Sequence, residues 1–168
     1  MAHTHSRTTP ADALVIFGVT GDLAHKMIFP ALYAMAKRGV LNVPVVGVAA
    51  SKWSLAQLRK RATDSIKHAG KIDDRAAFDQ FLSLLRYVGG DYNDLATFKA
   101  LKQTLGDALR PAHYLAIPPA LFATVIKGLG AAGLADQARA EGEGDSAAEP
   151  AAGPEEDAGS DDELREAA

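Results

Sequence analysis

The residues of this chain best suited to chemistry lie in one run, Gly18-Val19-Thr20-Gly21-Asp22-Leu23-Ala24-His25-Lys26, directly after the apolar stretch Leu14-Val15-Ile16-Phe17. The spacing is G-x-x-G-x-x-A at the junction of a strand and a helix. Glycine allows a tight turn and lets the backbone approach a pyrophosphate, and the free N–H groups and dipole of a helix start attract negative charge. Thr20 offers a hydroxyl to a phosphate. Asp22 suits a helix cap better than a ligand contact. Ala24 is small enough for close helix–strand packing, and Lys26 is divided between a phosphate or substrate contact and a solvated helix lysine. A glycine pair after a strand also serves ordinary turns. Its position between a strand and a helix favours a ligand.

The elements that position this run alternate. Leu14–Gly18 reads as the first strand and Met27–Arg38 as the first helix, stopped by Gly39. Val43–Ala49 is a second buried strand. Ser54 caps a helix over Leu55–His68, and Asp74 opens another with Phe78, Phe81, Leu82 and Leu85 on its apolar side. Tyr87–Gly89 is a third strand, Leu95–Leu109 a helix and His113–Ile117 a fourth strand. Pro119 starts a last helix that runs to about Ala132. Strands separated by helical crossovers predict an α/β, Rossmann-like fold, with a mostly parallel sheet and helices on both faces.

The end of the second strand chooses between dinucleotides. A site for NAD places an acid there for the ribose 2′-hydroxyl, whereas NADP calls for basic or hydroxyl groups. Here the strand ends Gly47-Val48-Ala49-Ala50-Ser51-Lys52. Ser51 and Lys52 suit a 2′-phosphate, so NADP is favoured over NAD.

The 168 residues hold one domain with a core, and no cysteine, which excludes disulfides and thiolate chemistry. No apolar run is long enough to span a membrane and no signal peptide is evident, so a cytoplasmic location is expected. Residues 1–12 read as a disordered leader, whose His3 and His5 are incidental rather than a metal site. The net charge of −3 hides an asymmetry. Residues 141–168 hold eleven acids and one arginine, a charge of −10, and read as a disordered acidic tail. The rest holds seventeen Lys and Arg against ten Asp and Glu, a charge of +7 that suits an anionic ligand. No nucleic-acid or membrane partner is expected.

Gly18 to Pro30, G-V-T-G-D-L-A-H-K-M-I-F-P, closely resembles the fingerprint of the glucose-6-phosphate dehydrogenase family, typically G-A-S-G-D-L-A-x-K followed by an apolar or aromatic pair and proline. Tyr87-Val88-Gly89-Gly90-Asp91-Tyr92 and Tyr114-Leu115-Ala116-Ile117-Pro118-Pro119 agree with it in order, so the resemblance covers about 14–139. It implies the NADP-binding domain of an enzyme that oxidises glucose 6-phosphate to 6-phosphogluconolactone in the oxidative pentose phosphate pathway. The pyrophosphate would then lie on Gly18, Val19, Thr20, Gly21, Asp22 and Leu23. Ser51 and Lys52 would hold the 2′-phosphate, Asp91 and Tyr92 would border the adenosine, and Tyr114 would flank the nicotinamide. The family's usual basic residue at the 2′-phosphate is Ala50 here.

The resemblance also implies segments this sequence does not contain. Neither the E-K-P-x-G strand nor the R-I-D-H-Y segment, whose histidine is the family's general base, has a counterpart, and hydride transfer from a sugar hemiacetal needs such a base. His25, His68 and His113 lie outside any catalytic segment, at an exposed helix start, a helix end and a strand start. No catalytic residue is therefore assigned. The abrupt change near Arg139 suggests, as a hypothesis, a shifted reading frame; a nucleotide sequence with no E-K-P-x-G in another frame there excludes it. An uncovered sheet edge, marginal stability and a monomer are expected, since the family's subunit contact lies in the missing part. The leading function is a truncated domain that binds NADP weakly without turnover. The alternatives are a dehydrogenase completed by another chain, and a non-enzymatic interaction protein or inactive remnant.

Overall fold

In the computed structural model, which describes residues 9–135, four strands form one parallel sheet: β1 (Ala13–Phe17), β2 (Val45–Ala49), β3 (Leu85–Gly89) and β4 (Pro111–Leu115), in the order β3-β2-β1-β4. Phe17 aligns with Val48 on one side and Leu115 on the other, and Val48 with Val88. β1 and β2 are central and buried on both faces, which is why their sequences are almost continuously apolar.

Alternation along the strands feeds two cores. Ile16, Val45 and Leu85 pack with Phe29 and Leu32 of α1 (Phe29–Lys37), Leu58 of α2 (Leu55–Ala69) and Phe81 of α3 (Arg75–Leu84). Val15, Phe17 and Val46 pack on the opposite face with Phe98 and Leu101 of α4 (Leu95–Leu105) and Val125 and Leu129 of α5 (Phe122–Ala131). The result is the Rossmann-like α/β architecture the alternation predicts. Ser54 caps α2 with a reciprocal box, its hydroxyl accepting from Gln57 N–H at 3.2 Å while Gln57 Oε1 accepts from Ser54 N–H at 2.7 Å.

Several boundaries differ from the sequence reading. Helical winding begins at Asp22 and passes through a π-helical turn, Ala24–Ile28, before α1. β3 starts at Leu85, two positions before Tyr87. α4 stops at Leu105 rather than Leu109, because Gly106 turns the chain with φ 57°. β4 runs over Pro111–Leu115 rather than His113–Ile117. Proline is acceptable at the first residue of an edge strand, and Pro118-Pro119 end the run in a short 3₁₀ turn. Asp12 is part of the fold, its carboxylate accepting from the N–H groups of Leu109 (2.7 Å) and Arg110 (2.8 Å) where the chain enters β4. Those N–H groups hold its carboxyl below the usual carboxylate range. Among the described residues no helix is long and apolar enough to cross a membrane. The leader histidines His3 and His5, and the acidic segment 141–168, lie outside the described residues.

Candidate functional site

The carboxyl end of β1, where the chain crosses over to β2 on one side and β4 is reached on the other, is the place where doubly wound sheets bind ligands. The glycine turn sits there. Gly21 N–H closes it on the Gly18 carbonyl at 3.0 Å, and His25 N–H donates to the Gly21 carbonyl at 3.2 Å as helical winding begins. The two glycines have different reasons. Gly18 has φ 80°, and a Cβ there would lie 2.2 Å from the Ala116 carbonyl oxygen, so the chain leaving β4 demands glycine. A Cβ on Gly21 would meet only the Gly18 carbonyl, at 3.3 Å, so the space above it is open. That opening beside exposed helix-start N–H groups fits a pyrophosphate.

The side chains of the run divide by burial. Val19 is fully buried and packs over Gly47, where a Cβ would come within 2.7 Å of it, so Val19 offers a ligand only its backbone. Leu23 is exposed. Asp22 does not cap the helix: its side chain is 85% exposed, makes no capping bond and lies 3.9 Å from Arg61 Nη2. Winding starts at Asp22 itself, so the residue stands inside the first turn rather than at the cap position ahead of it.

Thr20 and Ser51 are brought together from the ends of β1 and β2, their hydroxyl oxygens 3.1 Å apart. Beside them Ala50, Lys52, Trp53, Gly89, Gly90 and Asp91 line a cleft of about 630 Å³. Asp91 accepts from Asn93 N–H (2.8 Å) and Asn93 Nδ2 (3.1 Å), which lower its carboxyl pKa. Its own carbonyl accepts from Thr97 Oγ1 at 2.7 Å, and Gly90 is fixed because a Cβ would lie 2.2 Å from that hydroxyl. Tyr92 does not line this cleft. Its ring packs edge-on against Phe17 and its hydroxyl lies beneath the glycine turn. Trp53 went unassigned from sequence, although it is the chain's one tryptophan and stands just past the second strand.

Residues 15–143 match the family model for the glucose-6-phosphate dehydrogenase NAD binding domain. The chain belongs to the glucose-6-phosphate dehydrogenase family. It is 45% identical over 129 residues to glucose-6-phosphate 1-dehydrogenase 1 of Mycobacterium tuberculosis, covering 77% of this chain and 28% of that protein. It is 33% identical over 122 residues to the Kluyveromyces lactis enzyme, covering 67% of this chain and 24% of the other. The crystal structure of the Mycobacterium avium enzyme superposes with a TM-score of 0.71 at 44% identity, covering 74% of this chain and 28% of that one. The chain thus spans about 28% of the length of the mycobacterial relatives it matches.

Three more groups of this glucose-6-phosphate dehydrogenase family member take positions of their own. Tyr114 is 49% exposed and lines an apolar hollow with Leu14, Ile16, Met27 and Ile28, on the α1 side of β4 and apart from the cleft. His25 is half-buried rather than exposed, because α2 packs on the π turn. Its Nδ1 has no partner among the described residues, and burial, then the Arg61 and His68 charges, push its pKa down. His113 sits within β4 rather than at its start, against the Phe17 ring, with both ring nitrogens buried and without a hydrogen-bond partner among the described residues. Burial lowers its pKa, a nearby Leu134 backbone group opposing this. Neither histidine lines the cleft.

Proposed function

We propose that this domain binds NADP and, on its own, does not oxidise glucose 6-phosphate. The pyrophosphate is taken by the backbone of Gly18–Leu23, above the opening at Gly21. The 2′-phosphate is held by the Thr20 and Ser51 hydroxyls together with exposed Lys52. Asp91 borders the adenosine in the cleft floored by Gly89 and Gly90, with Tyr92 supporting the turn from below. Tyr114 marks the nicotinamide side. When bound, NADP supplies the hydride acceptor. The chain's residues supply binding and orientation.

The observation that carries this reading is the Thr20–Ser51 hydroxyl pair, 3.1 Å apart beside Lys52, at a strand end that has no acid. Two hydroxyl donors and an ammonium suit a phosphate dianion, whereas a 2′-hydroxyl would call for a carboxylate. The binding-only part rests on the sequence, which holds no match to the segment carrying the family's general base.

Trp53 is a built-in reporter, being the only tryptophan and lining the cleft. Its fluorescence is followed while the full chain is titrated with NADP and with NAD, and NADPH formation is then assayed with glucose 6-phosphate. Saturable quenching, tighter for NADP, with no NADPH formed is the expected result. Tighter binding of NAD refutes the cofactor choice, turnover refutes the binding-only reading, and no response to either dinucleotide refutes both.

A further inference from the structure

One large aromatic side chain is held in place without belonging to a core. Trp53 is half-buried, and among the described residues it packs into neither of the two apolar clusters on the sheet faces. Its backbone is nevertheless fixed on both sides. Trp53 N–H donates to the Ser51 carbonyl at 2.9 Å, closing a tight three-residue turn, and the Tyr87 hydroxyl of β3 donates to the same carbonyl. The next residue, Ser54, is the N-cap of α2. The chain thus sets where the indole stands, and no core claims it.

What Trp53 does line is the cleft of about 630 Å³ at the carboxyl ends of β2 and β3. That volume lies within the range of small-molecule sites, about 300–1,000 Å³. The other lining residues are Ala50, Lys52, Gly89, Gly90 and Asp91, so Trp53 carries the one ring among them. Lys52 and Asp91 supply charge, and Ala50 and the glycines supply a methyl group and backbone. A flat π-face therefore finds a matching surface on one wall alone.

We propose that the Trp53 indole stacks on the adenine ring of the bound dinucleotide. The inference rests on the dinucleotide reading above and names a further binding residue for it. The connectivity of the ligand leads there. Adenine and the 2′-phosphate are carried on neighbouring carbons of one ribose, so a phosphate held at Thr20, Ser51 and Lys52 brings the base close to the residue that follows Lys52, which is Trp53. Nicotinamide is at the other end of the pyrophosphate, toward β4, and the sheet order β3-β2-β1-β4 puts that strand two places away from β2. An aromatic face attracts a base through its π-surface, whatever hydrogen bonds the base makes. Because the backbone on either side of Trp53 is already hydrogen-bonded, the indole gives up little freedom when the base arrives.

The test uses the full chain, NADP and its two halves, adenosine 2′,5′-bisphosphate and nicotinamide mononucleotide. Calorimetric titrations compare the parent with Trp53→Leu, which removes the ring, and Trp53→Phe, which keeps one. The expected result is a loss of at least tenfold in affinity for NADP and for the adenosine half in Trp53→Leu, with Trp53→Phe within about threefold of the parent and circular dichroism unchanged in both. A second measurement needs no variant: in the parent, the adenosine half quenches the indole and shields it from acrylamide, and nicotinamide mononucleotide does neither. Should Trp53→Leu fail to fold, this shielding decides. A parent that binds NADP but whose Trp53→Leu variant binds equally well, a Trp53→Phe loss as large as that of Trp53→Leu, or shielding by the nicotinamide half instead overturns the stack and leaves the dinucleotide reading standing. A parent that binds neither NADP nor the adenosine half overturns both.

Discussion

The N–H of Gly18 is shared between two acceptors, the Val48 carbonyl at 2.8 Å and the Tyr92 hydroxyl at 2.9 Å, and that hydroxyl in turn donates to Val48 at 3.2 Å. A side chain from the loop after β3 thus bridges the ends of β1 and β2 where the glycine turn begins. Because Gly18 keeps Val48 as an acceptor, Tyr92→Phe retains the fold and the edge-on contact with Phe17. The expected loss is about 1 kcal/mol in denaturant unfolding, the worth of one buried hydrogen bond. If the tyrosine also sets the angle of the turn, dinucleotide affinity falls about fivefold in the same variant, read by Trp53 fluorescence. An affinity equal to the parent's would confine Tyr92 to stability.

The two glycines separate folding from binding. Gly18→Ala places a Cβ against the Ala116 carbonyl at a φ of 80° that L-residues avoid, so a loss of about 2–4 kcal/mol in stability is expected. Gly21→Ala meets no such obstacle and lacks the positive φ. Its melting point stays within a few degrees of the parent's, while the new methyl group stands where the phosphates are proposed to lie and weakens dinucleotide binding at least tenfold. Matched melts and titrations of the two variants check both halves. A Gly21→Ala protein that binds like the parent would remove the turn from the site.

What the sequence makes legible here is local. The β1–glycine–helix order, the Ser54 cap and the sheet's parallel character all follow from spacing within short windows, and the structure has them. The reason for Gly18 is not local, since Ala116 reaches it from the far end of the fold. The same holds for Tyr92, whose ring answers to Phe17 of the core and whose hydroxyl answers to the turn. The Asp22 assignment failed because the winding starts one residue early and continues as a π turn, a change that no residue type in the run signals. His25 read as exposed because its own helix gives no sign that Arg61, Ser65 and His68 of α2 pack over it.

Cofactor choice is testable at one position. Lys52 is exposed beside the Thr20–Ser51 pair, so Lys52→Glu perturbs no packing. It replaces an attraction for the 2′-phosphate by a repulsion and supplies an acid for a free 2′-hydroxyl. Affinity for NADP is expected to fall at least tenfold, with NAD unchanged or tighter. Parallel calorimetric titrations measure the ratio, and an equal loss for both dinucleotides would place Lys52 elsewhere than at the 2′-phosphate.

Two imidazoles with ring nitrogens unpartnered among the described residues, His25 and His113, set an acid limit on the fold. Burial, first, lowers the pKa of His113, and burial followed by the Arg61 and His68 charges lowers that of His25. Each is therefore neutral in the folded state at a pH where the unfolded chain, with imidazoles near the ordinary value of about 6.5, already takes up a proton. The unfolded state binds more protons in that window, so stability is fully present above about pH 6.5 and is lost progressively as the pH falls below it. The carboxylates held low by their partners, Asp12, Asp64, Asp73 and Asp91, add their own loss only nearer the carboxylate range. Melts between pH 7.5 and 5 isolate the histidines. His113→Leu keeps an apolar group against Phe17 and removes the titration, so its melting temperature is expected to fall less over that interval than the parent's, with the remaining slope assigned to His25. Equal slopes in the parent and in the double variant of His113 and His25 would show that neither imidazole is held neutral by the fold.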